Sequence, residues 1–136
     1  MKSAELYDVY KTKMQKIADV KYASAVLQWD QETYLPPKGN EFRGRQIATL
    51  SEIAHEQFTT DGVGDLLMEL NSKDDLSREE KRNVQLSLED FNRNKKLSSV
   101  FVRQLAEAVN IAYHAWAKAK AQNSFDIFLK PLHHLV

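Results

Sequence analysis

Four histidines, several carboxylate pairs and one Trp-Asp pair are the residues of this chain whose types and spacing could do chemistry. His55-Glu56-Gln57-Phe58-Thr59 begins as the zinc helix His-Glu-x-x-His does. In that motif two imidazoles one turn apart hold the ion and the glutamate acts on water. Position 59 is threonine, so the second ligand is missing, and the segment is expected to be a polar edge of a helix. His133 and His134 are adjacent, and neighbours on a helix point about 100° apart, so they do not share one ion. His114, two residues before Trp116, is expected at the edge of a packed stripe. No catalytic residue and no metal ligand emerges from this set.

The carboxylate pairs Asp74-Asp75, Glu79-Glu80 and Glu89-Asp90 fall in a linker or on a polar helix face. Solvation and helix capping account for them without a general acid and base. Lys95-Lys96, Lys118 and Lys120 fall toward helix C-termini, where positive charge favours the macrodipole. Asp61-Gly62-Val63-Gly64 lacks the lysine and spacing of a phosphate loop. The chain has no cysteine, which removes disulfides, thiolate metal sites and cysteine nucleophiles.

Trp29-Asp30 is different in kind, because it joins an apolar helical run to a polar turn and then to Pro36-Pro37. Trp29 brings a large apolar area and one N–H that needs a partner. Asp30 could accept from that N–H, from Arg43 or Arg45, or from the amides that open the next helix. On a structural reading the pair is a buried clamp at the corner of two helices. On a functional reading the same corner shapes a substrate groove.

The elements that must position these residues are all helical. Four glycines and three prolines are too few and too clustered to interrupt long stretches. The first helix is expected from about Ser3, as N-cap, to Tyr34, with Leu6, Tyr10, Met14, Ile17, Lys21 and Ala25 on one face and a possible bend near Asp19 to Lys21. Pro36 and Pro37 end it. The second runs from about Glu41 to Phe58 behind Asn40 as cap, with Ile47, Leu50, Ile53, Ala54 and Phe58 as its stripe. Asp61-Gly62 reads as a turn before a short piece, Val63 to Asn71. Ser77-Arg78-Glu79-Glu80 is a capping box that opens an outer, solvated helix to about Leu97.

Ser98 or Ser99 caps a helix to about Gln122, whose stripe is Val102, Leu105, Ala106, Val109, Ala112, Tyr113 and Trp116. Its many alanines make it narrow enough for close packing. Asn123-Ser124 breaks the pattern, and Pro131 is expected to open one more helix. No strand pattern occurs. The fold class is therefore all-α, an array of five or six helices over residues 1–136.

Lys+Arg and Asp+Glu are both 19, and this zero net charge argues against a nucleic-acid module. No apolar run spans a bilayer and no signal peptide opens the chain, so a cytoplasmic location is expected. The pattern Leu132, Leu135, Val136 stops without a cap. That ending suggests the front part of a larger protein, with apolar faces left to self-associate.

Trp29-Asp30-Gln31-Glu32-Thr33, then Pro36-Pro37, Arg43, Leu50 and His55-Glu56, resemble the N-terminal region of the Taq-type thermostable metallocarboxypeptidases. So does His114-Ala115-Trp116-Ala117-Lys118-Ala119-Lys120 followed by Asn123-Ser124-Phe125-Asp126-Ile127-Phe128-Leu129-Lys130-Pro131-Leu132. The resemblance implies a longer, mostly helical zinc enzyme that removes single residues from peptide C-termini. It implies a His-Glu-x-x-His helix and a later glutamate beyond Val136, since no position here matches them. Trp29, Asp30, Pro36, Arg43, Trp116, Phe125 and Pro131 are family-motif positions with an expected structural role. The chain would be the N-terminal wall or lid of the peptide groove, without zinc of its own and inactive by itself. The competing expectation is a self-contained helical protein-interaction module.

Overall fold

Six helices account for most of the computed structural model, which describes all 136 residues. They are α1 (Ser3–Thr33), α2 (Asn40–Phe58), α3 (Asp61–Asn71), α4 (Arg78–Asn94), α5 (Ser99–Ala121) and α6 (Asp126–Leu135), with no strand. The all-α expectation holds. No helix is long and apolar enough to cross a membrane.

α1 buries Leu6, Tyr7, Tyr10 and Ile17. Lys21, which interrupts the apolar stripe in sequence, lays its ammonium 5.7 Å from the centre of the Phe58 ring. Its stem can cover the face while its charge stays near water. α1 passes through Asp19–Lys21 without a break in the helix. Ser3 is not its cap but its first helical residue, and Glu5 instead accepts from the Lys2 amide at 3.2 Å.

Pro37–Gly39 forms a single 3-10 turn between α1 and α2. Asn40 was expected to cap α2 but is its first helical residue. Its amide donates to the Pro37 carbonyl, so the turn already provides what a cap would. Asp61-Gly62 is likewise no turn. It is the opening of α3, capped by Thr60, whose Oγ1 accepts from the Val63 amide at 3.3 Å. Asp61 then lies at a helix N-terminus, where a carboxylate is favoured. Lys95 pairs with it at 2.8 Å and holds its carboxyl below the usual range.

The core is one-sided. Twelve buried residues from the first half of α1, the end of α2, α3, Leu76 and α4 form a single cluster. Phe58 and Phe91 meet edge-on at 6.0 Å within it. The box predicted at Ser77 is present: Ser77 Oγ accepts from the Glu80 amide at 3.2 Å, and Glu80 accepts from the Ser77 amide at 2.8 Å. α4 buries only Val84 and Phe91, as expected of an outer helix.

α5 departs most from its expected burial. Only Ala112 and Ala119 are buried, while Leu105, Val109 and Trp116 of the predicted stripe are 44%, 50% and 45% exposed. The reason is close approach. A methyl at Gly44 of α2 would overlap the Asn110 amide, so small residues bring α2 and α5 together. The larger side chains stand beside that seam, half-exposed, with Leu105 and Val109 lining a cleft toward α1 and Trp116 a hollow where α5 turns into α6. Arg103 braces the seam from Glu52 at 2.9 Å to Glu107 at 3.3 Å.

α5 is closed by Gln122 and then Asn123, whose φ of 49° is left-handed. The Ser124 amide returns to the Ala119 carbonyl at 2.9 Å and the Asn123 amide to Lys120 at 3.4 Å, the Schellman pattern. Asn123→Gly is expected to raise stability by about 0.5–1 kcal/mol, since glycine adopts this conformation without a Cβ penalty. A shift of the urea midpoint at unchanged slope would report it.

Pro131 does not open a helix. It lies inside α6, which starts at Asp126. The amides of Phe128 and Leu129 bond the Phe125 carbonyl, so the turn after α5 leads directly into α6. The missing N–H at Pro131 leaves one helical bond unmade near a helix end, where few bonds follow. Leu132 and Leu135 are half-covered, whereas Val136 is fully exposed.

Candidate functional site

The corner between α1 and α2 is held by Asp30 and Arg43. Arg43 Nη1 donates to Asp30 Oδ2 at 2.7 Å and to the Leu27 carbonyl at 2.9 Å, and its Nε donates to Gln46 Oε1 at 3.0 Å. The Arg43 side chain is 14% exposed and that of Asp30 33%. Trp29 takes no part in a buried clamp. It is 58% exposed, edge-on to Tyr34 with ring centres 5.6 Å apart. Adjacent helical residues point about 100° apart, so turning Asp30 toward α2 turns Trp29 outward. Arg45 is also outside the lock, stacked over Phe42 at 5.0 Å.

An open cleft of about 350 Å³ follows that corner, between the second half of α1 and α5. Ile47 and Ser51 of α2 line it, with Val102, Leu105, Val109 and Tyr113 from α5. Gln28, Gln31 and Glu32 line it from α1. A second cleft of about 360 Å³ shares Gln28, Ser51 and Val102 with the first and continues toward Lys21 and His55. Ser24 Oγ, Gln31 Oε1 and Asn110 Oδ1 are buried along this combined groove without a hydrogen-bond partner. Gln31 stood in the Trp29–Thr33 string, whereas sequence reasoning missed Ser24 and Asn110, although Asn110 sits among Ala106, Val109 and Tyr113 of the predicted α5 stripe.

The remaining motif positions lie elsewhere. Trp116 and Phe125 line a separate hollow of about 470 Å³ where α5 turns into α6. Lys120 sits 5.3 Å from the Trp116 ring centre, and Phe125 meets Phe128 at 6.2 Å. Phe125 is exposed, Pro36 is exposed, and Pro131 is half-covered.

The histidines do not converge. His55 is not a polar edge: it is buried, with Nε2 2.9 Å from the Leu97 carbonyl, so it ties α2 to the link between α4 and α5. His114 has a buried, unpartnered Nε2, and burial pushes its pKa below the usual histidine value. His133 and His134 are exposed on the last turn of α6. No three His, Asp, Glu or Cys side chains are grouped to hold a metal ion.

A family model described as Carboxypeptidase Taq (M32) metallopeptidase matches residues 9–136, and the chain belongs to that family. It is 29% identical over 133 residues to Carboxypeptidase 1 of Bacillus subtilis (strain 168), covering 97% of this chain and 26% of that protein. A solved structure described as CHT shares 54% identity with a TM-score of 0.70 over 94% of this chain and 26% of its own. The BsuCP crystal structure has a TM-score of 0.86 at 28% identity, over 96% of this chain and 26% of its own. The chain thus spans about a quarter of the length of the relatives it matches. The metal that a metallopeptidase family implies does not fit the residues present, because the donors are too few and too scattered.

Proposed function

We propose that residues 1–136 are the N-terminal helical subdomain of a cytoplasmic, zinc-dependent carboxypeptidase that removes C-terminal residues from peptides. The subdomain forms a wall or lid of the peptide groove, and the zinc ligands and catalytic glutamate lie in the rest of the parent enzyme. The observation that carries this reading is a family match along nearly the whole chain, paired with coverage of only a quarter of each relative. Asp30, Arg43, Trp29, Pro36, Trp116, Phe125 and Pro131 then serve architecture. Asp30 and Arg43 set the α1–α2 corner, while the exposed aromatics face other parts of the parent.

The 136-residue chain by itself is expected to hold no stoichiometric zinc and to release no C-terminal residues from peptides. One tightly bound zinc per chain by elemental analysis, or turnover by the purified chain, would overturn this. The competing reading, a self-contained interaction module, draws on the same exposed apolar faces. A His-Glu-x-x-His encoded after Val136 decides for the peptidase, and a stop codon there decides for the module.

The chain is also expected to self-associate when concentrated. Val136, Ile111, Trp116 and Phe125 leave apolar area open on α5 and α6. Of the expected Leu132, Leu135 and Val136, only Val136 is exposed, and the two leucines are half-covered and contribute less. Light scattering that gives a monomer at every concentration would contradict this.

A further inference from the structure

The combined groove between α1 and α5 has features that a merely solvated surface lacks. Its α1 side extends from Lys21 to Glu32, which at helical rise is roughly 17 Å, or about three turns. Val102, Leu105 and Val109 present an apolar strip along the α5 side, and Ile47 lines the α2 side. Ser24 is 6% exposed, and its Oγ has no partner. Gln31 Oε1 and Asn110 Oδ1 are carbonyl acceptors, also unpartnered. Each buried polar atom left without a partner is destabilising, because its lost hydration is not replaced. Three along one groove are a recurrent expense that a docked segment with donors would remove. Glu32 adds a carboxylate on the rim.

We propose that this groove seats one amphipathic helix of about three turns from the part of the parent chain outside these 136 residues. The helix lays apolar side chains on Leu105, Val109 and Ile47. It also presents a lysine or arginine to Gln31, Asn110 and Glu32, with the two amides rotating to accept. This rests on the reading that the chain is part of a longer carboxypeptidase. Coverage of only 26% of the relatives supplies the source of the occupant. The length of the groove matches a helix rather than a single side chain, and the unpartnered amide oxygens of Gln31 and Asn110 lie with the Glu32 carboxylate in one cleft, which selects a donor-bearing face at that end.

The absence of cysteine from these residues makes single-thiol labelling clean. Val109→Cys and, as a second variant, Leu105→Cys are made in both the 136-residue chain and the full-length parent. Leu86→Cys on α4, of similar exposure, is the control. Labelling rates are read peptide by peptide in the mass spectrometer, at a dilution where light scattering shows a monomeric 136-residue chain. The expected result is labelling at 109 and 105 at least tenfold slower in the full-length parent, with the Leu86→Cys rate equal in both. Equal rates at 109 and 105 in the two proteins would overturn the proposal. So would protection in the parent that vanishes on dilution, because the occupant would then be a second copy. Carboxypeptidase turnover by the same full-length preparation is a separate readout. Turnover without protection sinks only the docking proposal, whereas protection without turnover sinks the enzymatic reading.

Discussion

Leu67→Ala is expected to lower the unfolding free energy by about 3–5 kcal/mol, the range for a leucine removed from a site that cannot collapse. Leu67 is fully buried, and its neighbours in the cluster come from α1, α3 and α4. The loss is large for this chain in particular. Only 22 of 136 residues are buried, so few other contacts can compensate. Domains have about 5–15 kcal/mol of stability in total, and a thin core belongs near the lower end. The variant is therefore expected to unfold at markedly lower urea, or to be partly unfolded without it. Leu86→Ala on exposed α4 should move the midpoint far less. Similar midpoint shifts for the two would mean that the one-sided core is wrongly placed.

Arg43→Met is expected to cost about 2–3 kcal/mol, between the value of an exposed ion pair and that of a broken buried one. The guanidinium satisfies Asp30 Oδ2 and the Leu27 carbonyl at once, and its side chain is nearly covered. Methionine keeps much of the stem but leaves Asp30 and that carbonyl without their donor. Asp30 is one-third exposed, so water takes over part of the lost bonding and the full buried-pair penalty is not reached. Asp30→Asn should cost less, about 1 kcal/mol, because an amide oxygen can still accept. Trp29→Ala, one residue away, should cost less than Arg43→Met, since Trp29 stands outward against Tyr34. Chemical denaturation of the three variants orders them. A Trp29→Ala cost above that of Arg43→Met would restore the buried-tryptophan clamp.

Local chemistry was legible in sequence wherever one short segment contained all the partners. The Ser77–Glu80 box, the serine cap of α5 (Ser98 of the Ser98/Ser99 pair), the proline stop after α1 and the break at Asn123-Ser124 each depend on a few neighbouring residues. The helical class followed from period and punctuation. Family membership was legible as a resemblance, since the motifs from Trp29 to Arg43 and from Trp116 to Pro131 are linear strings. The misplaced starts of α2 and α3 have a simple cause. Several residues near each start can meet the free amides, and a 3-10 turn or Thr60 did so in place of the expected residue.

Tertiary structure decided what each face meets. Periodicity identifies an apolar stripe but not its partner, so the stripes of α1 and α5 looked alike. Packing buried the first against α3 and α4 and left Leu105, Val109 and Trp116 of the second open. The same logic governs the corner. Trp29 and Asp30 are inseparable in sequence, yet a helix turns neighbours about 100° apart, and only the position of Arg43 determines which one faces inward. His55 became a buried tie because the link between α4 and α5 comes to it from 42 positions away. By itself, the sequence determined the helical class and most of the breaks between helices, because these rest on short-range geometry, and its motif strings carried the resemblance to the family. Which faces are core, which residue locks the corner and where the groove opens depend on contacts between segments distant along the chain.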